Sequence, residues 1–543
     1  MRIIVIGGLS AGPSAAAKAR RINEQAEILL FERTANISYA TCGIPYALSG
    51  KIKDRDKLMV VKPELLEQRF NIKMHLEEPV IEIDPEKHEI RTSKTSYHYD
   101  KLIMATGGAS IIPPIELLDQ YENWAHVKTI EQLDKVTKSG ELERATKVTV
   151  IGGGLIGLET AENLAEAGKQ VTIIELGNQL LAPWEPHFAH MAEKVYHEKG
   201  VAVKKQVSAI SINPDTGQIT LSNGDKIDSD YLLIGISVKP NTELLVAKGA
   251  RHISNGALIV NNKMETNLPD VYAAGDCSSV NHYITGEHTW LPMGTHSNKA
   301  GRVAGANAAG GSETFEGGYG TAIMKLFDHT IARTGMGPKT LKAKGIDFQS
   351  TLIIAGTTPG FYPNPKDIFV EIHHETKSGK LLGAEFFGER GVDKRTDVLS
   401  TAIYAGLTIH DLPRLDLAYA PPYAPAKDPV IVAGFVAENS SKGDYKEVGV
   451  TEAIKLIQTT EQLQILDVRN SIEIEKTGKI EGSINIPLDE MRDRLEELDT
   501  TKPVLVHCAK GLRGYLGALV LKHNGFDDIY NLAGGFTSWG KMQ

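Results

Sequence analysis

The sequence predicts an α/β protein of several domains. Two segments, near residues 3–33 and 147–176, each consist of an apolar strand, a glycine-rich turn and an amphipathic helix, the pattern of a dinucleotide-binding unit. After a polar segment, "AENSSKGDYKEVGV", short strands and helices alternate again through the last hundred residues. At a typical domain size of about 150 residues, a chain of 543 residues provides for several such units.

Charge and cysteine content exclude some classes of function. The net charge is −9, with 59 basic and 68 acidic residues and no long run of one sign, so nothing indicates nucleic-acid binding. The N-terminal "MRIIVIGG" leads directly into a strand, without a charged leader or membrane-spanning run, which predicts a cytoplasmic protein that does not bind membranes. Three widely spaced cysteines argue against a disulfide framework. We predict no metal site.

The second glycine-rich unit carries the full dinucleotide fingerprint. Its strand is followed by Gly152, Gly154 and Gly157 in the G-x-G-x-x-G spacing, and the next strand ends at Glu175. The glycines allow close approach of the backbone to a pyrophosphate, and the helix N-terminus offers unpaired N–H groups to it. The Glu175 carboxylate suits a ribose hydroxyl and would repel a 2′-phosphate, which favours NADH over NADPH.

The first unit is a variant of the same pattern. Gly7, Gly8 and Gly12 are present, but Leu9 takes the place of the middle glycine. Two later strands, in "YDKLIMATGG" and "TNLPDVYAAGDCS", end in small residues that allow a bound cofactor to approach. Together these segments resemble the pyridine nucleotide-disulfide oxidoreductases, in which an NAD domain interrupts an FAD domain. The resemblance covers about four-fifths of the chain and implies FAD contacts at Glu32, Arg33, Ala105, Thr106, Gly107, Gly275 and Asp276. A helix N-cap at Asp276 would be compatible with that role.

The family pattern implies a domain organisation. Two dinucleotide-binding domains precede an α+β dimerisation domain, so we expect a homodimer. The predicted boundaries are 1–112 and 251–318 for the FAD domain, 113–250 for the NAD domain, 319–437 for the dimerisation domain, 438–450 for a linker and 451–543 for a C-terminal α/β domain.

Cys42 lies where this family carries its redox cysteine. Glutathione-type reductases have a second cysteine five positions later, but here that position is Ala47, so no internal disulfide relay is possible in this segment. A lone thiol beside a flavin must cycle through a sulfenic acid or a mixed disulfide. "SYATCGIPY" resembles the S-F-x-x-C-G-x-P-Y of coenzyme A disulfide reductases, with Tyr39 in place of Phe. The peroxide-reducing relatives carry a histidine where this chain has Ser10, which disfavours that alternative.

Coenzyme A carries phosphates, so its site should be basic near Cys42. The first helix supplies Lys18 and Arg21, although basic residues in a last turn also suit a solvated helix end. The resemblance implies coenzyme contacts at Ser14, Lys18, Arg21, Ser38 and Thr41. Lys427 is a further candidate for a phosphate, and His296 is a candidate for the substrate edge of the flavin site.

The family also implies two tyrosines that reach the active cysteine from the partner subunit. The matching residues are Tyr362 in "GFYPNP" and Tyr419 in "LDLAYAPPYAPAKDPV". A phenol can hydrogen-bond a departing thiolate and donate its proton. Tyr423 is better explained by interface packing.

The last hundred residues contain "ILDVR", "GKIEGSINIPL", "VLVHCAKGLRG" and "NLAGGFTSW" in order, and they resemble a rhodanese domain. Cys508 follows a strand, and its loop leads into a helix whose N–H groups can lower the pKa of the thiol, which predicts a persulfide carrier. The C-x4-R spacing to Arg513 disfavours the wider loop of the related phosphatases. Lys510 and Arg513 are expected to stabilise the persulfide anion, and Asp467 with Arg469 to give structural support.

The fusion resembles coenzyme A disulfide reductase-rhodanese proteins, some of which are NADH-dependent persulfide reductases. Electrons from NADH are then expected to reach a disulfide or persulfide at Cys42 through FAD, releasing coenzyme A and hydrogen sulfide. Two alternatives stay open: a coenzyme A disulfide reductase that maintains thiol pools, and a sulfurtransferase with a regulatory flavin module. Cys277 is predicted to be structural.

Overall fold

The computed structural model describes residues 1–541, which fall into two compact units. The first unit holds residues 1–181 and 196–319, and the second holds residues 182–195 and the chain from residue 320 on. Parallel sheets flanked by helices confirm the predicted α/β class. Within residues 1–541, every helix is too short or too polar to cross a bilayer.

The N-terminal part of the first unit is organised around a buried apolar strand. Ile3, Ile4 and Val5 are fully buried, so this strand lies in the middle of its sheet. The elements of this part are β1 (Arg2–Ile6), α1 (Ala11–Ile22), β2 (Glu27–Phe31), α2 (Ile44–Leu48), α3 (Pro63–Phe70), β3 (Ile72–His75), β4 (Val80–Asp84), β5 (Glu89–Thr92), β6 (Ser96–His98), β7 (Lys101–Met104) and β8 (Gly108–Ser110). Because β2 and β7 flank β1 on opposite sides, a crevice opens at the carboxyl end of β1.

The following part repeats this arrangement. Its elements are β9 (Trp124–His126), α4 (Ile130–Ser139), α5 (Glu141–Arg144), β10 (Lys147–Ile151), α6 (Leu155–Glu166), β11 (Gln170–Glu175), α7 (Pro186–Glu198), β12 (Ala202–Lys205), β13 (Ala209–Ile212), β14 (Ile219–Leu221), β15 (Lys226–Ile227), β16 (Tyr231–Ile234), β17 (Val238–Pro240) and α8 (Glu243–Val246). Of α7, residues 186–195 are counted with the second unit. A parallel sheet has the order β12-β11-β10-β16-β9. The predicted strand, glycine turn, helix and acidic strand end are confirmed as β10, α6 and β11.

The chain then returns to the first sheet. The returning elements are β18 (Val271–Ala273), β19 (Val280–Asn281), β20 (His288–Thr289) and α9 (Gly294–Ala308). β18 pairs with β7 and completes the order β18-β7-β1-β2-β3. A Cβ on Gly305 would lie 2.0 Å from the carbonyl oxygen of Ala15, so glycine is what allows α9 to pack closely on α1. The helix considered possible after Gly275 is not formed, because a turn there leads into β19.

The second unit begins with an antiparallel sheet and helices, which has the expected α+β character. Its elements are β21 (Ala322–Leu326), β22 (His329–Gly335), α10 (Pro338–Ala343), β23 (Phe348–Gly356), β24 (Asp367–Glu375), β25 (Leu381–Gly388), α11 (Val392–Tyr404) and α12 (Pro429–Ser440). The strand order is β21-β22-β25-β24-β23. Asp367 pairs with Gly356, so the sheet fixes both ends of the loop that carries Tyr362.

The C-terminal part is a five-stranded parallel sheet with the order β26-β30-β29-β27-β28. Its elements are β26 (Lys446–Val448), α13 (Val450–Thr459), β27 (Gln464–Asp467), α14 (Ser471–Thr477), β28 (Ile484–Asn485), β29 (Val504–His507), α15 (Leu512–His523), β30 (Ile529–Leu532) and α16 (Gly535–Lys541). The structure differs here from the predicted linker 438–450, since residues 438–440 end α12 and β26 pairs with β30. Tyr445, which directly precedes β26, and Val448 at its end are both buried and anchor a strand whose other two residues are polar.

Candidate active site

The glycine turn after β1 is built for close approach to a dinucleotide. Gly7 has a φ of 111°, and a Cβ there would lie 2.2 Å from the carbonyl oxygen of Ala105, so only glycine fits. The N–H of Gly8 donates to Glu32 at 2.9 Å, and the N–H of Thr34 donates to the other carboxylate oxygen at 3.0 Å. The turn therefore holds the Glu32 carboxylate at the mouth of the crevice.

A cleft of about 620 Å³, open to solvent, lies beside this turn. The lining includes Gly7, Gly8, Glu32, Arg33, Ala105, Thr106, Gly107, Lys128 and Asp276. Asp276 accepts a hydrogen bond from Ser297 at 3.2 Å and lies 3.6 Å from the Lys128 ammonium. Backbone N–H groups for a pyrophosphate, a carboxylate for a ribose and a second carboxylate at the far wall fit an FAD molecule.

The turn after β10 repeats this geometry. Gly152 has a φ of 116°, and a Cβ on Gly157 would lie 1.9 Å from the carbonyl oxygen of Gly152. The Glu175 carboxylate accepts from the N–H groups of Gly153 and Gly177, both at 2.6 Å. Gly154 is the N-cap residue of α6, so the first N–H groups of that helix face the turn. These features suit the pyrophosphate and ribose of a pyridine nucleotide.

Cys42 lies on an exposed 3-10 turn, Thr41–Gly43, directly before α2. The segment leading to it is attached to the FAD-side glycine turn, because the N–H of Ser38 donates to the carbonyl oxygen of Gly8 at 2.8 Å. Ser38 itself has a left-handed φ of 45°. A Cβ on Gly43 would lie 2.4 Å from a methyl carbon of Leu58, so the turn is closely packed on its inner side. The thiol thus stands at the surface on a well-supported backbone.

One turn after Cys42, Tyr46 connects this segment to α6. Its hydroxyl donates to Glu159 at 2.5 Å. Burial raises the pKa of Glu159, and the hydrogen bond from Tyr46 acts in the opposite direction. Nothing in the sequence motif pointed to Glu159, which is 113 residues away from Tyr46. The two residues link the cysteine turn to the helix that carries the dinucleotide fingerprint.

Cys508 lies in the second unit at the end of β29 and is only 2% exposed. The N–H of Gly511 donates to its sulfur at 3.2 Å. Its carbonyl oxygen accepts from the N–H of Phe536 at 2.7 Å, so the C-terminal helix region helps to fix the loop. The predicted arrangement of strand, cysteine loop and helix is present, with α15 beginning at Leu512.

Both cations of the Cys508 loop form ion pairs. Arg513 makes two hydrogen bonds of 2.7 Å to Glu473, and this pairing, together with the nearby thiol of Cys508, raises the pKa of Arg513. Lys510 binds Asp367 at 2.8 Å. Elsewhere in the domain, the fully buried Asp467 pairs with Arg469 at 2.6 Å, in agreement with its predicted structural role.

Comparison with known families identifies this arrangement. Residues 1–307 match the model "pyridine nucleotide-disulphide oxidoreductase". The chain belongs to that family. Residues 321–429 match its dimerisation domain, and residues 450–542 match a rhodanese-like domain. This oxidoreductase therefore binds FAD and a pyridine nucleotide, as predicted from the two glycine turns.

Individual relatives agree with this assignment. An NAD(P)H coenzyme A polysulfide/persulfide reductase of Pyrococcus horikoshii is 33% identical over 435 residues, which are 79% of this chain and 97% of the relative. Reduced CoADR-RHD of Bacillus anthracis matches with a TM-score of 0.96 and 34% identity, covering 100% of this chain and 98% of that one. An NAD-dependent persulfide reductase from A. fulgidus matches with a TM-score of 0.91 and 34% identity over 99% and 100% of the two chains.

The predicted coenzyme contacts of the oxidoreductase lie along α1 and the cysteine turn. Ser14 donates to Asn298 at 2.8 Å. Lys18 is 8% exposed and pairs with Glu313 at 2.5 Å, so it is not the solvated cation that the helix end suggested. Arg21 is exposed and lies over the ring of Phe70. Of these basic groups, Arg21 is the one open to an incoming phosphate.

Other predicted residues differ in their surroundings. His296 is partly buried on α9, and its pKa is lowered by burial and, to a smaller extent, by the charge of Lys299. Tyr362 is half-buried, whereas Tyr419, Tyr423 and Lys427 are exposed. These last four residues all belong to the second unit. Their predicted role from the partner subunit stays a prediction.

Lys128 is a site residue that sequence reasoning missed. It follows β9, faces Asp276 and lines the FAD cleft. Burial lowers its pKa, and the Asp276 carboxylate opposes that shift. The available signal was a polar residue in the strand-to-helix turn "AHVKTI", but its partner lies 148 residues later.

Cys277 has a structural environment, as predicted. It is fully buried and its thiol lies 3.3 Å from the carbonyl oxygens of Met104 and Ala274. Burial raises the pKa of the Cys277 thiol, which keeps it protonated and unreactive.

Proposed function

We propose that this oxidoreductase uses NAD(P)H and FAD to reduce coenzyme A persulfide, polysulfide or coenzyme A disulfide through Cys42, while its rhodanese domain carries sulfane sulfur on Cys508. One observation carries the proposal: Cys42 is the one exposed cysteine of the first unit. The other cysteine of the first unit, Cys277, is sealed in the core. Cys42 must therefore form its disulfide with an external thiol.

The reaction balances with one dinucleotide. The thiolate of Cys42 attacks one sulfur of the substrate and forms a mixed disulfide or a Cys42 persulfide, and the other sulfur leaves as hydrogen sulfide or as a thiol. Bound FAD would supply two electrons from NAD(P)H, and reduction of the mixed disulfide or persulfide would regenerate the Cys42 thiolate. One proton is taken up in addition to the hydride, so each turnover converts one disulfide or persulfide bond into two S–H groups.

The proton is proposed to come from the partner subunit. Tyr362 and Tyr419 are the phenols that match the family pattern, and Tyr419 is 53% exposed in the single chain, which leaves it open to a partner. The match of residues 321–429 to a dimerisation domain supports a homodimer with this arrangement.

Coenzyme A is proposed to bind along the Cys42 segment. Ser38 and Thr41 both lie in the segment just before Cys42, and Arg21 is an exposed cation of α1. Lys18 would have to exchange Glu313 for a phosphate. His296 is proposed to border the flavin site, and Lys427 to contact a phosphate. We place the enzyme in the cytoplasm, where its three cysteines, all unpaired here, would remain reduced.

Mass spectrometry of the purified holoenzyme tests the proposal directly. We expect a fraction of Cys42 to carry coenzyme A as a mixed disulfide, because no thiol of the first unit competes for it. Treatment with a thiol reductant should release the coenzyme A and remove the added mass. A mass that corresponds only to sulfinic acid would instead favour a peroxide-reducing enzyme.

Substrate competition distinguishes persulfide reduction from disulfide reduction. With both substrates present, the one with the higher kcat/KM is consumed first. The match to two persulfide reductases supports the persulfide as the preferred substrate. A preference for coenzyme A disulfide would assign the enzyme to thiol-pool maintenance.

A further inference from the structure

The cations of the Cys508 loop are already neutralised within the chain. Arg513 is held by both oxygens of Glu473 at 2.7 Å. The Lys510 ammonium lies 2.8 Å from each oxygen of Asp367. Cations whose charge is not compensated within the chain would strengthen the binding of a dianionic sulfur donor to this loop. This loop offers little uncompensated positive charge.

The sheet holds Asp367 in place. It is the first residue of β24 and pairs with Gly356 on β23. The neighbouring residue, Lys366, pairs with a different carboxylate: its ammonium lies 2.6 Å from a carboxylate oxygen of Glu389. Two separate ion pairs therefore lie next to each other: Asp367 pairs with Lys510 of the cysteine loop, and Glu389 pairs with Lys366.

The loop presents Lys510 to this carboxylate from a fixed backbone. The carbonyl oxygen of Ala509 accepts from the N–H of Thr537 at 2.9 Å, and that of Cys508 accepts from Phe536 at 2.7 Å. The residues on both sides of Lys510 are anchored as well, since Gly511 donates to the Cys508 sulfur. The Lys510–Asp367 pair therefore joins two rigid segments.

We propose that Asp367 is a specificity-determining residue of the sulfur-transfer site, which neutralises Lys510 and thereby disfavours dianionic donors such as thiosulfate relative to donors of lower charge. The proposal rests on the proposed role of Cys508 as a sulfane-sulfur carrier. In that step the Cys508 thiolate attacks the outer sulfur of thiosulfate, the S–S bond breaks and sulfite leaves, so no further oxidant or reductant is needed. A free Lys510 would attract the dianion; the paired Lys510 does not.

The size of the effect follows from the exposure of the pair. The side chains of Lys510 and Asp367 are 49% and 37% exposed, so solvent screens their interaction. Exposed pairs contribute modestly, and removal of Asp367 should change the KM for thiosulfate by about two- to fivefold. High salt should reduce this change.

The test compares variants of the full-length holoenzyme in the thiosulfate:cyanide transfer assay at low ionic strength. Asp367→Asn keeps the shape of the side chain and should lower the KM for thiosulfate with little change in kcat. Methanethiosulfonate, a monoanionic donor, should show a smaller decrease. The decrease should disappear in Asp367→Asn/Lys510→Gln. Glu389→Gln is the matched control, because it removes a neighbouring carboxylate from Lys366 and should leave the KM unchanged.

Three results would overturn the proposal. These are an unchanged or higher thiosulfate KM in Asp367→Asn, an equal decrease in Glu389→Gln, and a large increase in KM in Lys510→Gln alone, which would show that Lys510 already serves the donor. Failure of the underlying function has a different signature, since Cys508→Ser would then retain transfer. FAD content and circular dichroism of each variant establish that it is folded.

Discussion

The two cysteines that we propose to be reactive, Cys42 and Cys508, have opposite surroundings. Cys42 is exposed on a short turn that is packed on its inner side, whereas Cys508 is 2% exposed and receives a backbone N–H on its sulfur. An exposed thiol has room for a covalent bond to a molecule as large as coenzyme A. A thiol enclosed by backbone can gain a single sulfur atom, whose charge the neighbouring N–H group of Gly511 can stabilise. The comparison indicates that electron transfer and sulfur transfer are separate tasks of separate sites.

The largest expected effect is the loss of reduction in Cys42→Ser. We expect NADH-dependent turnover of every sulfur substrate to fall by a factor on the order of 10³ or more, because the nucleophile itself is removed. Reduction of FAD by NADH should persist, as stopped-flow absorbance would show. Cys277→Ala is the control and should retain turnover. Turnover of coenzyme A disulfide in Cys42→Ser would disprove the assignment.

The converse variant, Cys508→Ser, should lose one activity and keep the other. Thiosulfate or persulfide transfer should be abolished, while reduction of freely diffusing coenzyme A disulfide should stay within about twofold of wild type, since Cys508 has no electron source. Reduction of substrates delivered as protein-bound sulfur should fall further. Transfer of that sulfur from Cys508 to Cys42 within one dimer benefits from a high effective concentration, and the variant loses this benefit. Loss of coenzyme A disulfide reduction in a folded, FAD-loaded variant would contradict the division of tasks.

A smaller effect is expected at the tyrosines proposed to serve Cys42. Tyr362→Phe and Tyr419→Phe should each slow the release of product by about five- to tenfold, the cost of losing one ordinary hydrogen bond of about 1 kcal/mol. Tyr423→Phe removes a neighbouring exposed phenol and should have little effect. Rapid-mixing kinetics should show flavin reduction unchanged. Slower reduction of the flavin by NADH would place these residues elsewhere.

The smallest expected effect is a loss of folding stability at mildly acidic pH, caused by His507 next to the enclosed Cys508. His507 precedes Cys508 and is fully buried, and burial lowers its pKa, against the opposing charge of Asp467. Because the unfolded state binds the proton more readily, stability should fall as pH drops below about 6.5, the usual pKa of histidine. Melting curves between neutral and mildly acidic pH should show this loss, and His507→Gln should reduce it. An equal loss in the variant would exclude His507 as the source.

The sequence was most informative where a local segment determines its own geometry. The turns around Gly7 and Gly152, the carboxylates of Glu32 and Glu175, and the strand before Cys508 follow from short motifs, because each needs a particular backbone over a few residues. The sequence did not predict which side chains would pair across long sequence separations. Lys128 with Asp276 and Lys510 with Asp367 join residues more than a hundred positions apart, and Lys18 is removed from solvent by Glu313.

The predicted linker shows a second limit of sequence reading. "GDYKEV" is polar, but the pairing of β26 with β30 gives its backbone groups partners and buries Tyr445 and Val448. Composition alone does not distinguish an edge strand with two apolar anchors from a flexible connection.

The position of β26 decides where the C-terminal domain can be cut from the rest of the chain. A fragment that starts at residue 451, the predicted domain boundary, would lack this strand and leave the N–H and C=O groups on one edge of β30 without partners. Such a fragment is expected to self-associate through the open edge. A fragment that starts before Tyr445 keeps the strand and both buried side chains, and this longer fragment is the one to express on its own.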